Sequence, residues 1–293
     1  MIILTLNPYL PGLLTAILTA SLWGTRDVVL RKTTLKGAIV ETMLINAAVS
    51  LLSSLIPAFL LGELLLLASM DFFTIFVFTL AGIIQFFVAV WLYYEGIRRV
   101  GASKTSAASL IQSFLTPYLG ILLLGEPSAT HVIIGVLIGA LGITITSYKG
   151  EGKFNWGILF GIGAGLGWTT TPLILRFFFE RARVPFLATS LGSSGSIIMI
   201  LALLAFMRRK DYELSFSKGV GLAGTLGGLG QTTLYIALSL APTVIVVPAY
   251  NLKVIVTILL SPIFIKRIEV IDAKVIVGAI MTILGVILVN LNL

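Results

Sequence analysis

Two stretches of this chain read almost as one: "HVIIGVLIGALGITIT" at residues 131–146 and "KVIVGAIMTILGVILV" at residues 274–289. Each is an unbroken apolar run close to the roughly 20 residues that cross a bilayer as a helix. Aligned, they pair Gly135 with Gly278 and Gly142 with Gly285. In the same register "LWGTRDVVLRK" (22–32) falls on "GWTTTPLILRF" (167–177), pairing Trp23 with Trp168 and Arg31 with Arg176. "LYYEGI" (92–97) falls on "LYIALS" (234–239). The offsets stay within 142–145, so one unit is used twice, over residues 1–150 and 151–293.

Composition says what the unit is made of. Of 293 residues 58% are apolar and only 11% are charged, against about 25% charged in a soluble domain. Much of this surface therefore faces lipid. Ten spans can be read, at 11–32, 39–61, 73–94, 102–124, 131–149, 156–178, 186–207, 219–240, 243–265 and 271–291. They are continuously apolar and do not alternate, so they are helices and not barrel strands. The expected fold is an all-α integral membrane protein. With five spans in each unit, the second copy enters the membrane from the opposite side. The halves are then inverted repeats, an arrangement that in secondary transporters places substrate at the bilayer midplane between repeats.

The charge excess belongs to topology. Of the twenty Lys and Arg, fifteen fall in the odd-numbered loops, whereas only Arg176, Arg181 and Arg183 lie near the other face. Basic loops favour the cytoplasm, which predicts both termini outside and assigns the net charge of +8 to orientation, not to nucleic acid. Cysteine is absent, which excludes disulfides and thiolate chemistry. The opening "MIILTLNPYLPG" lacks a basic region and a cleavage site, and is expected to belong to the mature protein.

These residues resemble the EamA type of the drug/metabolite transporter superfamily. The likeness rests on Trp23-Gly24 deep in span 1 and "LLGE" (123–126) closing span 4. Span 5 follows with Gly135, Gly139 and Gly142, and the pattern returns around Glu269 and Gly278. The resemblance covers the whole chain and implies a cell-membrane transporter that exports or exchanges small metabolites such as amino acids, with no ATP site and no enzymatic activity. A sugar-phosphate or nucleotide-sugar exchanger, from other branches of that superfamily, is the alternative within the carriers. Two features depart from the pattern. Arg26-Asp27 stands where members carry small or weakly polar residues, and the charge count places the termini opposite to familiar members.

The candidate site follows from the polar residues at mid-depth. Between Lys218 and Lys266 lie 47 residues, and Lys253 is the only charged one. It sits about eleven residues, roughly 16 Å, from either end of span 9, too far for its stem to snorkel. Its charge there costs about 2.5–3.5 kcal/mol, so it needs a carboxylate partner, a polar cavity, or loss of its proton. Asp27 is the only plausible structural partner, and Arg26 beside it competes for that carboxylate. Gln85, Gln112 and Gln231 add amides near the centres of spans 3, 4 and 8. Any one alone reads as a helix–helix hydrogen bond, worth about 0.6 kcal/mol. Together with Lys253 they predict one shared chamber, lined also by Tyr250 and Asn251 and walled by Trp23 and Trp168. The expected substrate is a small anionic or zwitterionic molecule, with Asp27 as a candidate for proton coupling. Glu95, Glu126 and Glu269 end spans and are expected at the interface.

Other patterns carry less. Gly157, Gly161 and Gly165, Gly135 with Gly139, and Gly224 with Gly228 follow the small-xxx-small spacing of close helix packing. They would serve the monomer's own core or a homodimer. Pro117, Pro172, Pro248 and Pro262 bend or break their helices. "GVGLAG" (219–224) matches a dinucleotide fingerprint to the letter, but it opens an apolar span and no acid follows until Glu269. "GSSG" (192–195) resembles the serine motif of rhomboid proteases, yet the sole histidine, His131, precedes it at the start of span 5. A packing face is the simpler reading. No histidine cluster for a metal and no phosphate loop appear, so neither cofactor nor metal is expected. A passive channel or scramblase is the remaining alternative outside the carriers.

Overall fold

A computed structural model describes residues 8–34, 39–100, 105, 108–109, 111–126, 130–147, 158–208, 215–264 and 273–290. It is all-helical, and its long helices follow the ten spans. Leu10–Leu30, Ile39–Leu60, Phe72–Gly96 and Pro185–Met207 are each long and apolar enough to cross a membrane. The outer faces of these and other spans carry large exposed apolar side chains, among them Leu52, Phe59, Leu141, Ile198 and Leu259, as a lipid-facing surface must. Glu269 and Gly157 lie outside the described residues.

Glycine sets how closely the spans approach. Gly285 of span 10 lies on Gly135 and Gly139 of span 5, where an added Cβ would stand 2.4 Å from the Gly139 nitrogen and 2.5 Å from the Gly135 oxygen. Spans 5 and 10, the two stretches with which the repeat was recognised, therefore pack on each other. Gly161 and Gly165 of span 6 meet the start of span 4, and Gly224 and Gly228 of span 8 meet span 2 at Ile45 and Asn46. Gly192 of "GSSG" touches Gly82 of span 3 backbone to backbone. These glycines serve the chain's own packing. Gly285→Val is thus expected to force spans 5 and 10 apart, at a cost of about 1–3 kcal/mol. A lower thermal midpoint of the purified variant would register it, and an unchanged midpoint would place the glycine outside the core.

Among the described residues two spans depart from a regular helix. Span 3 runs as an α-helix over Phe72–Gly82, passes through a π-helical turn at Ile83–Val88 and resumes over Ala89–Val100. The side chains of Thr171 and Ser196 donate to the carbonyls of Ala81 and Gly82 at the start of that turn (3.2 and 3.0 Å). Span 9 is broken after Thr243–Asn251 and restarts at Lys253. Pro248 lies inside the first of these segments, where it cannot donate to the ladder and crowds the turn before it, upstream of the break at Leu252. Pro117 and Pro172 lie inside continuous helices. π-turns and interrupted spans are recurrent features of functional sites in membrane helices.

The halves are tied by carboxylates of the first repeat that reach helix starts of the second. Glu63, after span 2, accepts the Leu187 N–H at 2.7 Å in the first turn of span 7. Glu126 accepts both the N–H (2.7 Å) and the hydroxyl (2.7 Å) of Thr243 and the N–H of Val244 (3.1 Å), where span 9 begins. Glu126 was expected at the interface. It lies just past the end of its helix, with its side chain only 2% exposed, because Gly120 leaves the room that a Cβ would occupy and the orphan N–H groups of a helix start attract a carboxylate. Glu95 does end its span, paired with Arg98 (2.8 Å) and Arg99 (2.6 Å).

The core divides along the membrane normal. Phe78, Phe178, Phe179, Leu187, Leu238, Val244 and Ile245 form one apolar cluster toward the even-numbered loops. A second, containing Leu30, Met43, Tyr93, Trp168, Ile200 and Leu204, holds spans 1, 2, 3, 6, 7 and 8 toward the odd-numbered loops. Of the residues expected to line the chamber, Trp23 and Tyr250 belong to the first cluster and Trp168 to the second.

Candidate functional site

The chamber is built from six spans whose packing turns specific side chains inward. Trp23 of span 1 is fixed by its indole N–H, which donates to the Gly227 carbonyl of span 8 at 3.3 Å. The ring lies where a side chain on Gly230 would be, 2.5 Å from an added Cβ. Trp168 of span 6 is held by Tyr93, with ring centroids 5.0 Å apart. The Lys253 ammonium stands between these indoles, 5.4 Å from the Trp23 centroid and 5.2 Å from that of Trp168. Tyr250 meets Trp23 edge to face at 5.6 Å.

The cavity is lined by Trp23, Arg26, Gln85, Val90, Gln112, Trp168, Gln231, Tyr250 and Lys253. It is contracted, with room for about one water molecule, so a larger occupant enters only as its walls part. Seven of the residues expected to meet at mid-depth therefore do meet: Lys253, the three glutamines, Tyr250 and the two tryptophans. Asn251 does not. It is fully buried beside the break in span 9, and its amide nitrogen donates to the Ser113 hydroxyl of span 4 at 2.7 Å. Asp27 also stays out of the lining. Its Oδ1 accepts from Nε and Nη2 of Arg26 at 2.9 and 2.8 Å, which leaves it paired with its neighbour and not with Lys253.

Charge and hydrogen bonding in the chamber are unbalanced in a specific way. Arg26 and Lys253 bring two cations, and the one carboxylate close by, Asp27, is bound to Arg26. Among the described residues no carboxylate lies within the 4.0 Å of an ion pair with Lys253. Its charge is met instead by two indole faces, each worth about 0.5–2 kcal/mol. Arg26 also lies over Trp23, at 5.4 Å. Gln112 is engaged, accepting from the Tyr250 hydroxyl at 3.0 Å. Gln85 and Gln231 line the cavity, yet each buries an amide atom, Oε1 and Nε2 respectively, that has no partner. The chamber thus offers an unpaired cation, two unengaged amides and aromatic walls.

Arg26 is the lining residue that sequence reasoning used only as a partner for Asp27. The signal was present: it is a charged residue one turn from a mid-span tryptophan, where the resembling family carries small residues. Glu126 was likewise visible in "LLGE", but its target lies 117 residues further on, and no local pattern points there.

The comparisons agree with this architecture. A family model described as the EamA-like transporter family matches residues 10–148 and again residues 155–291. A solved structure described as "Crystal structure of protein" is similar in fold, with a TM-score of 0.75 and 15% sequence identity over 96% of this chain and 96% of that one. No curated protein matches the sequence.

Proposed function

The chain belongs to the EamA-like transporter family, and on that premise we propose that it moves a small carboxylate-bearing solute across the cell membrane by alternating access, in the direction of export. The observation that supports this reading is Lys253: buried, at mid-depth, facing the cavity, and without a carboxylate partner among the described residues. An arriving carboxylate makes a charge-assisted hydrogen bond in a setting where water competes little. The irregular turns at Ile83–Val88 and Leu252 lie beside Gln85 and Lys253. Movement of the half-helices about those points would part the cavity walls.

Counterflow in proteoliposomes tests the reading. Vesicles loaded with an unlabelled carboxylate should accumulate the labelled solute transiently above its equilibrium level, which a channel or scramblase cannot do. Absence of counterflow with every carboxylate tried, or equal counterflow with a cationic solute, would overturn it. Exchange of sugar phosphates alone would move the chain toward the exchanger branches of the superfamily.

The charge bias supports termini outside and odd-numbered loops in the cytoplasm. The cysteine-free background makes the test direct. In intact cells Arg183→Cys should react with an impermeant thiol reagent and Arg209→Cys should not. The reverse pattern would invert the orientation.

A further inference from the structure

The chamber's own groups narrow the substrate further, on the premise that Lys253 receives a carboxylate. Each cation in the cavity is already against an aromatic face: Lys253 between Trp23 and Trp168, Arg26 over Trp23. No carboxylate lines the cavity among the described residues, and the nearest in sequence, Asp27, is held by Arg26. An amino acid's ammonium entering here would find no carboxylate in the lining among the described residues, and the unpaired Lys253 charge close by. Like charges in a weakly screened interior repel strongly.

What the cavity does hold for a second substrate group is neutral. Gln85 and Gln231 come from opposite repeats, are almost fully buried, and make no hydrogen bond to any described residue. An amide carries an acceptor and two donors. It satisfies a hydroxyl, which both donates and accepts, without any charge. Left empty, each amide bears the cost of a buried polar group without a partner. The charge count agrees: with Arg26 and Asp27 neutralising each other, one cation remains for one anion.

We infer that the chamber selects a hydroxycarboxylate monoanion, a carboxylate with a neutral hydroxyl beside it, over the zwitterionic amino acid of the same skeleton. Lys253 takes the carboxylate, Gln85 and Gln231 take the hydroxyl, and the indoles cover the apolar remainder.

Carbon-matched probes test this. Lactate, alanine and propionate form one series; 3-phenyllactate, phenylalanine and 3-phenylpropionate form a second, suited to the aromatic walls. Half-saturating concentrations are read by counterflow and by thermal stabilisation of the purified protein. In at least one series the hydroxy acid should half-saturate at a concentration at least about tenfold below both its amino and its unsubstituted counterparts, since a site built for a hydroxyl rejects the analogue lacking it. Gln85→Leu and Gln231→Leu should bring the hydroxy acid level with the unsubstituted acid. An amino acid that binds as tightly as the hydroxy acid, or an unsubstituted acid that does, overturns this inference while leaving the carboxylate reading intact. Failure of all six probes overturns this inference, and if only solutes without a carboxylate exchange it overturns the carboxylate reading as well. If the leucine variants do not fold, the parent's ranking of the six probes still decides.

Discussion

Lys253→Met is expected to leave the protein folded and to remove most of its affinity for carboxylates, by about 10- to 100-fold. The two halves of that expectation have separate causes. Methionine nearly matches the lysine stem in length, and it lifts the roughly 2.5–3.5 kcal/mol that a mid-membrane ammonium costs. Against this stands the loss of contact with Trp23 and Trp168, about 0.5–2 kcal/mol for each ring. The terms nearly cancel, so the unliganded thermal midpoint should stay close to that of the parent. The ligand term does not cancel. A hydrogen bond to a charged group is worth about 1.5–3 kcal/mol, and a ligand that binds only the folded state raises the midpoint by mass action. Stabilisation by a carboxylate should therefore be seen with the parent and vanish with the variant. A variant much less stable without ligand, or one that responds like the parent, would make Lys253 a structural residue.

Glu126→Ala, just beyond span 4, should carry a large stability cost. The carboxylate accepts from two backbone N–H groups and a hydroxyl at the start of span 9, and its Oε1 lies 3.8 Å from Nε of Arg176. Loss of a helix cap costs about 0.5–2 kcal/mol, and N–H groups left buried without an acceptor add about 1–3 kcal/mol. A total of about 1.5–5 kcal/mol follows. The dependence on pH has a definite sign. Burial pushes the Glu126 carboxyl above its ordinary range, and the hydrogen bonds from Thr243 and Val244 and the Arg176 charge only partly oppose this. A carboxyl raised in the folded state binds more protons there than in the unfolded chain. Its contribution is complete below the ordinary carboxylate range and falls as pH rises through the raised folded value. The gap in midpoint between parent and Glu126→Ala should therefore be widest below the ordinary carboxylate range and narrow as pH rises through the raised folded value. A gap that widens with pH would mean that the Arg176 charge, not burial, governs the group.

Much of this molecule could be read before any coordinates, for a reason that lies in its solvent. Lipid imposes one composition on every residue of a span, so run lengths mark the helices, and paired positions such as Trp23 with Trp168 or Gly142 with Gly285 mark the repeat. A polar group at mid-depth is costly enough to stand out wherever it faces. That is why Lys253, Gln85, Gln112 and Gln231 were identifiable and do share one cavity.

Direction was not legible. Which side of a helix meets the cavity depends on rotation about its axis, and the neighbouring spans set that rotation. Asn251 and Lys253 are two residues apart across a helix break; one turns to Ser113 and the other to the indoles. Asp27 and Arg26 are adjacent, yet only Arg26 lines the chamber. The π-turn that carries Gln85 and the cap that Glu126 places on span 9 depend on contacts between distant segments. Sequence alone determined a ten-span membrane protein of two similar halves and the depth at which its polar groups lie, because lipid acts on each residue separately. Tertiary structure decided which of those groups converge and which remain unpaired, because convergence is a property of packed neighbours.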